Sequence, residues 1–267
     1  MQKIKSATFI GSGNVATHLA QILFQKGIVI NQICSRLISN AEILAQKVNA
    51  EAIDHINDIK ENVDIIFCCT KDDLIFKISN KIAEQKRIPY IVHTSGTVGL
   101  EVFDSIKDKF EAVGIFYPLQ TFSKNNAVDF SEIPIGITTE NKTLQNNLLE
   151  LSSRITKNAF IISDDDRKHL HLSAVLVNNF VNHLFAIAQH YCKDNNLDFN
   201  LLKPLIYQTI SKIDTVPAID AQTGPAKRND QEIIHKHLDM LNDDILTKNI
   251  YQALTTSIIS MYHGKKK

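Results

Sequence analysis

Neither sign of charge predominates in this chain. Lysine plus arginine and aspartate plus glutamate each number 29 in 267 residues, so the formal net charge is zero. A nucleic-acid partner calls for a basic surplus, so none is expected. Cysteine is scarce too: Cys34, Cys68, Cys69 and Cys192 form no C-x-x-C pair, and two of them sit inside an apolar run. They read as small buried thiols, which suits the reducing cytoplasm. No secretory leader is expected, because the first apolar stretch is a short strand ending at Gly11. The most apolar helical stretch, near Leu170–Ala188, is interrupted by Asn178, Asn179, Asn182 and His183. Those groups would be costly in lipid, so no membrane partner is expected. Internal repeats and low-complexity segments are also lacking, and the lysine tail 265–267 reads as a solvated end.

The composition, 44% hydrophobic and 22% charged, is that of a folded globular chain long enough for two domains. The first part alternates strand and helix patterns. Ala7–Ile10, Ile28–Cys34, Asp64–Cys69, Tyr90–His93, Ala112–Phe116, Ile133–Thr138 and Ala159–Ile162 read as strands. Val15–Lys26, Ala41–Val48, Leu74–Gln85 and Lys142–Arg154 read as helices, and Leu100–Phe103 as the start of another. This order predicts an α/β Rossmann domain with a doubly wound, mostly parallel sheet. After the acidic triplet Asp164–Asp166 only helices are predicted: one long helix over Lys168–Tyr191, then Asn200–Asp214, Asp230–Leu241 and Asp244–Ile259. The expected division is a dinucleotide-binding domain over 1–163 and an all-helical substrate and dimerisation domain over 164–267.

Gly11-Ser12-Gly13-Asn14-Val15-Ala16 is a G-x-G-x-x-A string between the first strand and the first helix. In that context the first glycine permits a tight turn. The second lets the backbone approach a pyrophosphate, and the helix N-terminus offers free amides to the phosphates. Gly11, Ser12, Gly13, Asn14 and Val15 are therefore expected to hold a dinucleotide. An NAD site usually carries an acid at the end of the second strand. Here Cys34-Ser35-Arg36 stands there, with no acid before Glu42. A hydroxyl and a guanidinium suit a 2′-phosphate, so NADP is the expected cofactor, held by Ser35 and Arg36. The plain alternative is that Arg36 is an ordinary surface arginine.

Ligands of open α/β sheets sit at the carboxyl ends of the strands. Thr70, His93, Ser95 and Gln120 lie on the loops that should converge there. Thr70 and His93 are expected beside the nicotinamide ribose, Ser95 at the reacting ring and Gln120 against substrate, though His93 could equally cap its own loop. Ser95 with His93 does not make a hydrolase, because G-x-S-x-G is missing. His171 and Asn179 fall on one stripe of the long helix. A histidine is the usual side chain for proton exchange near neutrality. The pair reads either as acid/base and anchor or as a satisfied contact between helices. Arg228, in the late loop Thr223–Asp230, could bind an anion or simply face solvent. The histidine spacings do not fit a helical metal site, so no metal is expected.

The strings GSGNVA at Gly11–Ala16, HTSGT at His93–Thr97, YPLQTF at Tyr117–Phe122, the His171-to-Asn179 helix and TGPAKRND at Thr223–Asp230 together resemble the DUF2520 family. These are Rossmann-like proteins with a helical C-terminal domain, labelled NADP oxidoreductases or F420-dependent NADP oxidoreductase-like. The family is similar in plan to pyrroline-5-carboxylate reductase and the 6-phosphogluconate and 3-hydroxyacid dehydrogenases. In those relatives the helical domain dimerises and covers the nicotinamide, so the resemblance implies a homodimer. Many members have a histidine where this chain has Tyr117. The expected activity is hydride transfer between NADP(H) and a small, anionic metabolite, with a non-catalytic NADP(H)-binding redox sensor as the alternative.

Overall fold

The computed structural model describes residues 3–264 apart from 86, 125 and 127, so the lysine tail lies outside it. Among these residues eight strands form one sheet in the order β3-β2-β1-β4-β5-β6-β7-β8. They are β1 (Ser6–Ile10), β2 (Val29–Cys34), β3 (Glu51–Ile53), β4 (Ile65–Cys68), β5 (Tyr90–His93), β6 (Ala112–Pro118), β7 (Ile135–Thr138) and β8 (Ala159–Ile161). All neighbours run parallel except β6 and β7. The doubly wound reading therefore holds. The three-residue β3 was not anticipated, since so short a run carries no alternation to read.

The order of the strands sets the position of the site. The chain leaves β1 for β2 on one side and reaches β4 on the other. In open α/β sheets such a switch point, beyond the carboxyl ends of the strands, is where ligands bind. Continuous apolar runs such as Ile65–Cys68 are buried on both faces, as central parallel strands require. One face packs Phe9, Phe67 and Phe116 against α1 (Asn14–Gln25), α2 (Ile38–Val48) and α4 (Lys142–Ser153). Phe9 stacks on Phe67 at 4.9 Å between ring centroids, and Phe116 meets Phe67 edge-on at 5.5 Å. Burying each such ring stabilises the fold by about 1.5–3 kcal/mol. The other face packs Ile10, Ile66 and Ile91 against α3 (Ile75–Gln85) and Phe103. Phe103 belongs to a 3-10 turn, Leu100–Phe103, where a longer helix was expected.

Beyond β8 the described residues form helices and no strand. Ser163 caps α5 (Asp164–Ala174) by accepting the Asp166 amide, and three aspartates fill the first turn, where the helix dipole favours them. The next turn, Val175–Phe180, is a π-helix. It gives way to α6 (Val181–Asp194). The predicted uniform helix thus changes pitch in its middle. By length and composition the run Asp164–Asp194 could cross a membrane, although Asn178, Asn179, Asn182 and His183 lie within it. The remaining helices are α7 (Lys203–Lys212), α8 (Ala218–Ala221), α9 (Pro225–Arg228), α10 (Gln231–Met240) and α11 (Ile245–His263). The chain packs as two compact units, Met1–Asn179 and Phe180–Lys267. The division anticipated at 163 marks the change from strand to helix. By packing, α5 stays with the sheet, so the compact units part later.

Candidate active site

Three strand ends meet at Gly11. Its amide donates to the Cys34 carbonyl at 2.8 Å, and the Cys69 amide donates to the Ile10 carbonyl at 2.8 Å. Gly11 adopts φ +104°, and a Cβ there would lie 2.2 Å from the Cys69 carbonyl oxygen. Only glycine meets both constraints. At Gly13 the reverse holds: nothing lies within 4 Å of a Cβ position. The turn is therefore jammed against the sheet at its first glycine and open at its second. α1 begins directly after it with no side-chain cap, leaving its first amides available. A diphosphate fits this donor set.

The neighbouring polar groups are engaged in shaping the turn. Ser12 Oγ donates to Ser35 Oγ at 3.0 Å, joining the ends of β1 and β2. The Asn14 side chain donates to the Phe122 carbonyl at 2.8 Å, and the His18 ring meets the Ser123 carbonyl at 2.8 Å. Val15 packs on the core beneath. Arg36 is exposed at the end of β2 and makes no ion pair with a described residue. Thr70 is half-buried, its hydroxyl 3.6 Å from Cys68 Sγ.

The loop after β5 is knotted on itself. Ser95 Oγ accepts the amides of Thr97 and Val98 at 3.1 and 3.0 Å. His93 is fully buried and accepts the Ser95 amide on Nδ1 at 3.2 Å, with its ring 5.6 Å from Phe103. Of its two readings, the geometry is that of a loop cap. Burial first, and the Arg167 charge second, push its pKa down to about 4.

Arg167 is the residue that sequence reasoning missed. Its guanidinium is fully buried. It pairs with Asp164, donates to the Val98 carbonyl and reaches Thr138 Oγ1 at 3.4 Å. Asp164 also accepts the Leu100 amide at 2.9 Å. Burial opposes ionisation of Asp164, but the Arg167 bond and that amide outweigh it and hold the carboxyl below its usual range. One clue was available: an arginine four positions before His171, one helical turn away.

One turn on, His171 Nδ1 lies 2.8 Å from the Tyr117 hydroxyl, and the rings meet edge-on at 5.9 Å. Both rings sit on Gly96, where a Cβ would come within 2.4 Å of His171 Nδ1 and 3.0 Å of the Tyr117 ring. Beside them lies a cleft of 340 Å³ lined by Tyr117, Gln120, Thr121, His171, Asn178 and Asn179 among others. Asn178 donates to Thr121 Oγ1, and Gln120 Oε1 accepts the Thr121 amide at 2.8 Å. The structure thus brings together His171, Asn179 and Gln120, and adds Tyr117, Gly96 and Thr121. Ser95 is spent on its own loop.

Arg228 belongs to the second unit, exposed and 4.0 Å from Asp230. In the same loop Lys227 donates to the Gln222 carbonyl at 2.8 Å and lies over the Tyr262 ring. No three histidine, cysteine or carboxylate side chains among the described residues could share a metal.

Two families match parts of this chain: DUF2520, a domain of unknown function, over residues 133–258, and shikimate/quinate 5-dehydrogenase over residues 2–90. Among solved structures, a putative NADP oxidoreductase from Bacteroides fragilis superposes with a TM-score of 0.90 at 36% identity, covering 96% of this chain and 98% of its own. A Thermotoga maritima protein gives 0.71 at 20% identity over 98% and 100% of the two chains. An imine reductase from Myxococcus stipitatus, solved with NADP+, gives 0.65 at 14% identity over 96% and 92%. At those identities the last two show the shared fold alone. No curated protein matches.

The buried His93 makes a pH prediction. Its folded pKa of about 4 lies below the ordinary 6.5, so between those values the unfolded chain binds the extra proton. The stability it contributes is complete above pH 6.5 and is lost as pH falls toward about 4. Urea midpoints measured across that window should fall less in His93→Asn than in the wild type. An identical fall in both proteins would contradict this.

Proposed function

This chain belongs to the family of the Bacteroides fragilis oxidoreductase, the Rossmann-fold proteins that carry the DUF2520 domain, and on that premise we propose that it is an NADP(H)-dependent oxidoreductase acting on a small metabolite. The observation that carries the reading is the turn that is jammed at Gly11 and open at Gly13. The amides of Ser12, Gly13, Asn14 and Val15 hold the diphosphate, and Ser35 and Arg36 take the 2′-phosphate. Thr70 borders the nicotinamide ribose. His93 and Ser95 act indirectly, by fixing the loop after β5. When bound, NADP(H) supplies the hydride.

His171 serves as acid/base, Asn179 anchors the reacting group and Gln120 contacts substrate. The paired Tyr117 and His171 side chains favour an enzyme over a sensor, since binding and signalling alone need no acid/base pair. The expectation of an anionic substrate depends on Arg228, an exposed cation in the second unit. The cleft beside His171 is lined by amides, hydroxyls and aliphatic groups. The four unpaired cysteines fit the reducing cytoplasm.

We also propose that the protein is a homodimer through its helical unit. That unit buries few apolar side chains and exposes Leu201, Leu205, Tyr207, Ile210, Ile213 and Leu246. Exposed apolar surface of this extent marks an association face. Sedimentation equilibrium should give about twice the 30.1 kDa chain mass; a monomer at micromolar concentration would refute it.

Calorimetry tests the cofactor. Wild-type protein should bind NADPH more tightly than NADH. Arg36→Ala should weaken NADPH about ten- to a hundredfold, as loss of a charge-assisted hydrogen bond implies, and leave NADH nearly unchanged. Equal losses for both would remove Arg36 from the site, and no binding of either would end the proposal.

A further inference from the structure

The Tyr117 hydroxyl has one hydrogen-bond partner among the described residues, His171 Nδ1 at 2.8 Å. Tyr117 is 6% exposed overall, and it borders the cleft. Burial raises the hydroxyl above its ordinary pKa and outweighs the opposing Arg167 charge, so the phenol keeps that proton. A buried O–H without an acceptor costs on the order of 1–3 kcal/mol. For a neutral imidazole, the arrangement that satisfies both groups has Tyr117 donating to an unprotonated Nδ1. The ring proton then sits on Nε2.

The surroundings enforce this orientation. Gly96 abuts the Nδ1 edge so closely that a methyl group would collide with it. The Arg167–Asp164 pair fixes the preceding turn of α5. Nε2, across the ring from Tyr117, makes no hydrogen bond to a described residue, while His171 borders the open cleft.

We propose that Tyr117 is a positioning residue: it locks neutral His171 with Nε2–H toward the cleft, so that the site binds a hydrogen-bond acceptor, a carbonyl oxygen, at the reacting carbon. The donor polarises that carbonyl and orients it for reduction. The proposal rests on the oxidoreductase reading for its chemical meaning, but the tautomer itself does not depend on it. A protonated imine would present a hydrogen to this donor and would be disfavoured.

The test is nitrogen-15 NMR of the imidazole rings at alkaline pH, with His171 assigned by its loss in His171→Gln. In wild-type protein the His171 proton should be on Nε2, with Nδ1 an acceptor. In Tyr117→Phe, and independently in Gly96→Ala, the Nε2 signal should move toward the value of freely exchanging tautomers. A wild-type spectrum with the proton on Nδ1 overturns the proposal even if neither variant folds. An Nε2 signal unmoved in a folded Tyr117→Phe protein overturns it as well. Calorimetry of the wild type with NADPH runs alongside. Failure to bind would sink the oxidoreductase reading while leaving the tautomer result standing.

Discussion

One cation, alone among the described residues in being an arginine or lysine with no exposed surface, organises the candidate active site of this protein. The Arg167 guanidinium has no exposed surface. A charge so placed is tolerated only when it is paired and hydrogen-bonded, and removing one partner of such a pair typically costs about 3–5 kcal/mol. Its partners come from three places: Asp164 within α5, the Val98 carbonyl in the loop after β5, and Thr138 at the end of β7. α5 cannot slide or rotate without stranding that charge. The next helical turn carries His171 above Gly96 and against Tyr117. The packing of the site is thus a consequence of an electrostatic constraint one turn away.

The cofactor turn and the cleft share rigid neighbours. Asn14 and His18 on α1 grip the carbonyls of Phe122 and Ser123. The next residue back, Thr121, receives the Asn178 side chain from the π-helical turn. Turns of this type are rare and recur at functional sites, where the extra residue redirects side chains. Here the change of pitch falls where Asn178 and Asn179 reach the cleft. The residues that would meet cofactor and those that would meet substrate therefore lean on one loop, the stretch Leu119–Ser123 after β6.

Much of this was legible beforehand because it is local. The glycine string announces a strand–turn–helix by the steric freedom it needs, and central parallel strands announce themselves as continuous apolar runs. His171, Asn179 and Gln120 could be singled out because polar groups near apolar runs or strand ends stand out. What escaped depends on contacts between distant segments. Arg167 carries no local sign of burial until Val98, 69 positions away, closes over it. Tyr117 reads as the residue just past a strand, at the head of the YPLQTF string, until a histidine 54 positions on meets its hydroxyl. Gly96 looks like loop punctuation, and only the two rings above it reveal why no side chain fits. The π-helical turn has no composition of its own, so the periodicity ran through it unbroken.

Hydrogen–deuterium exchange on Arg167→Met bears most directly on the central claim. The substitution removes the charge while keeping an unbranched apolar side chain. If Arg167 pins α5 to the sheet, the α5 amides should exchange at least about tenfold faster than in the wild type, while β1, β4 and β5 keep their protection. Equal protection of α5 in both proteins would mean that the helix is held by something else, and the account of how His171 is placed would fail.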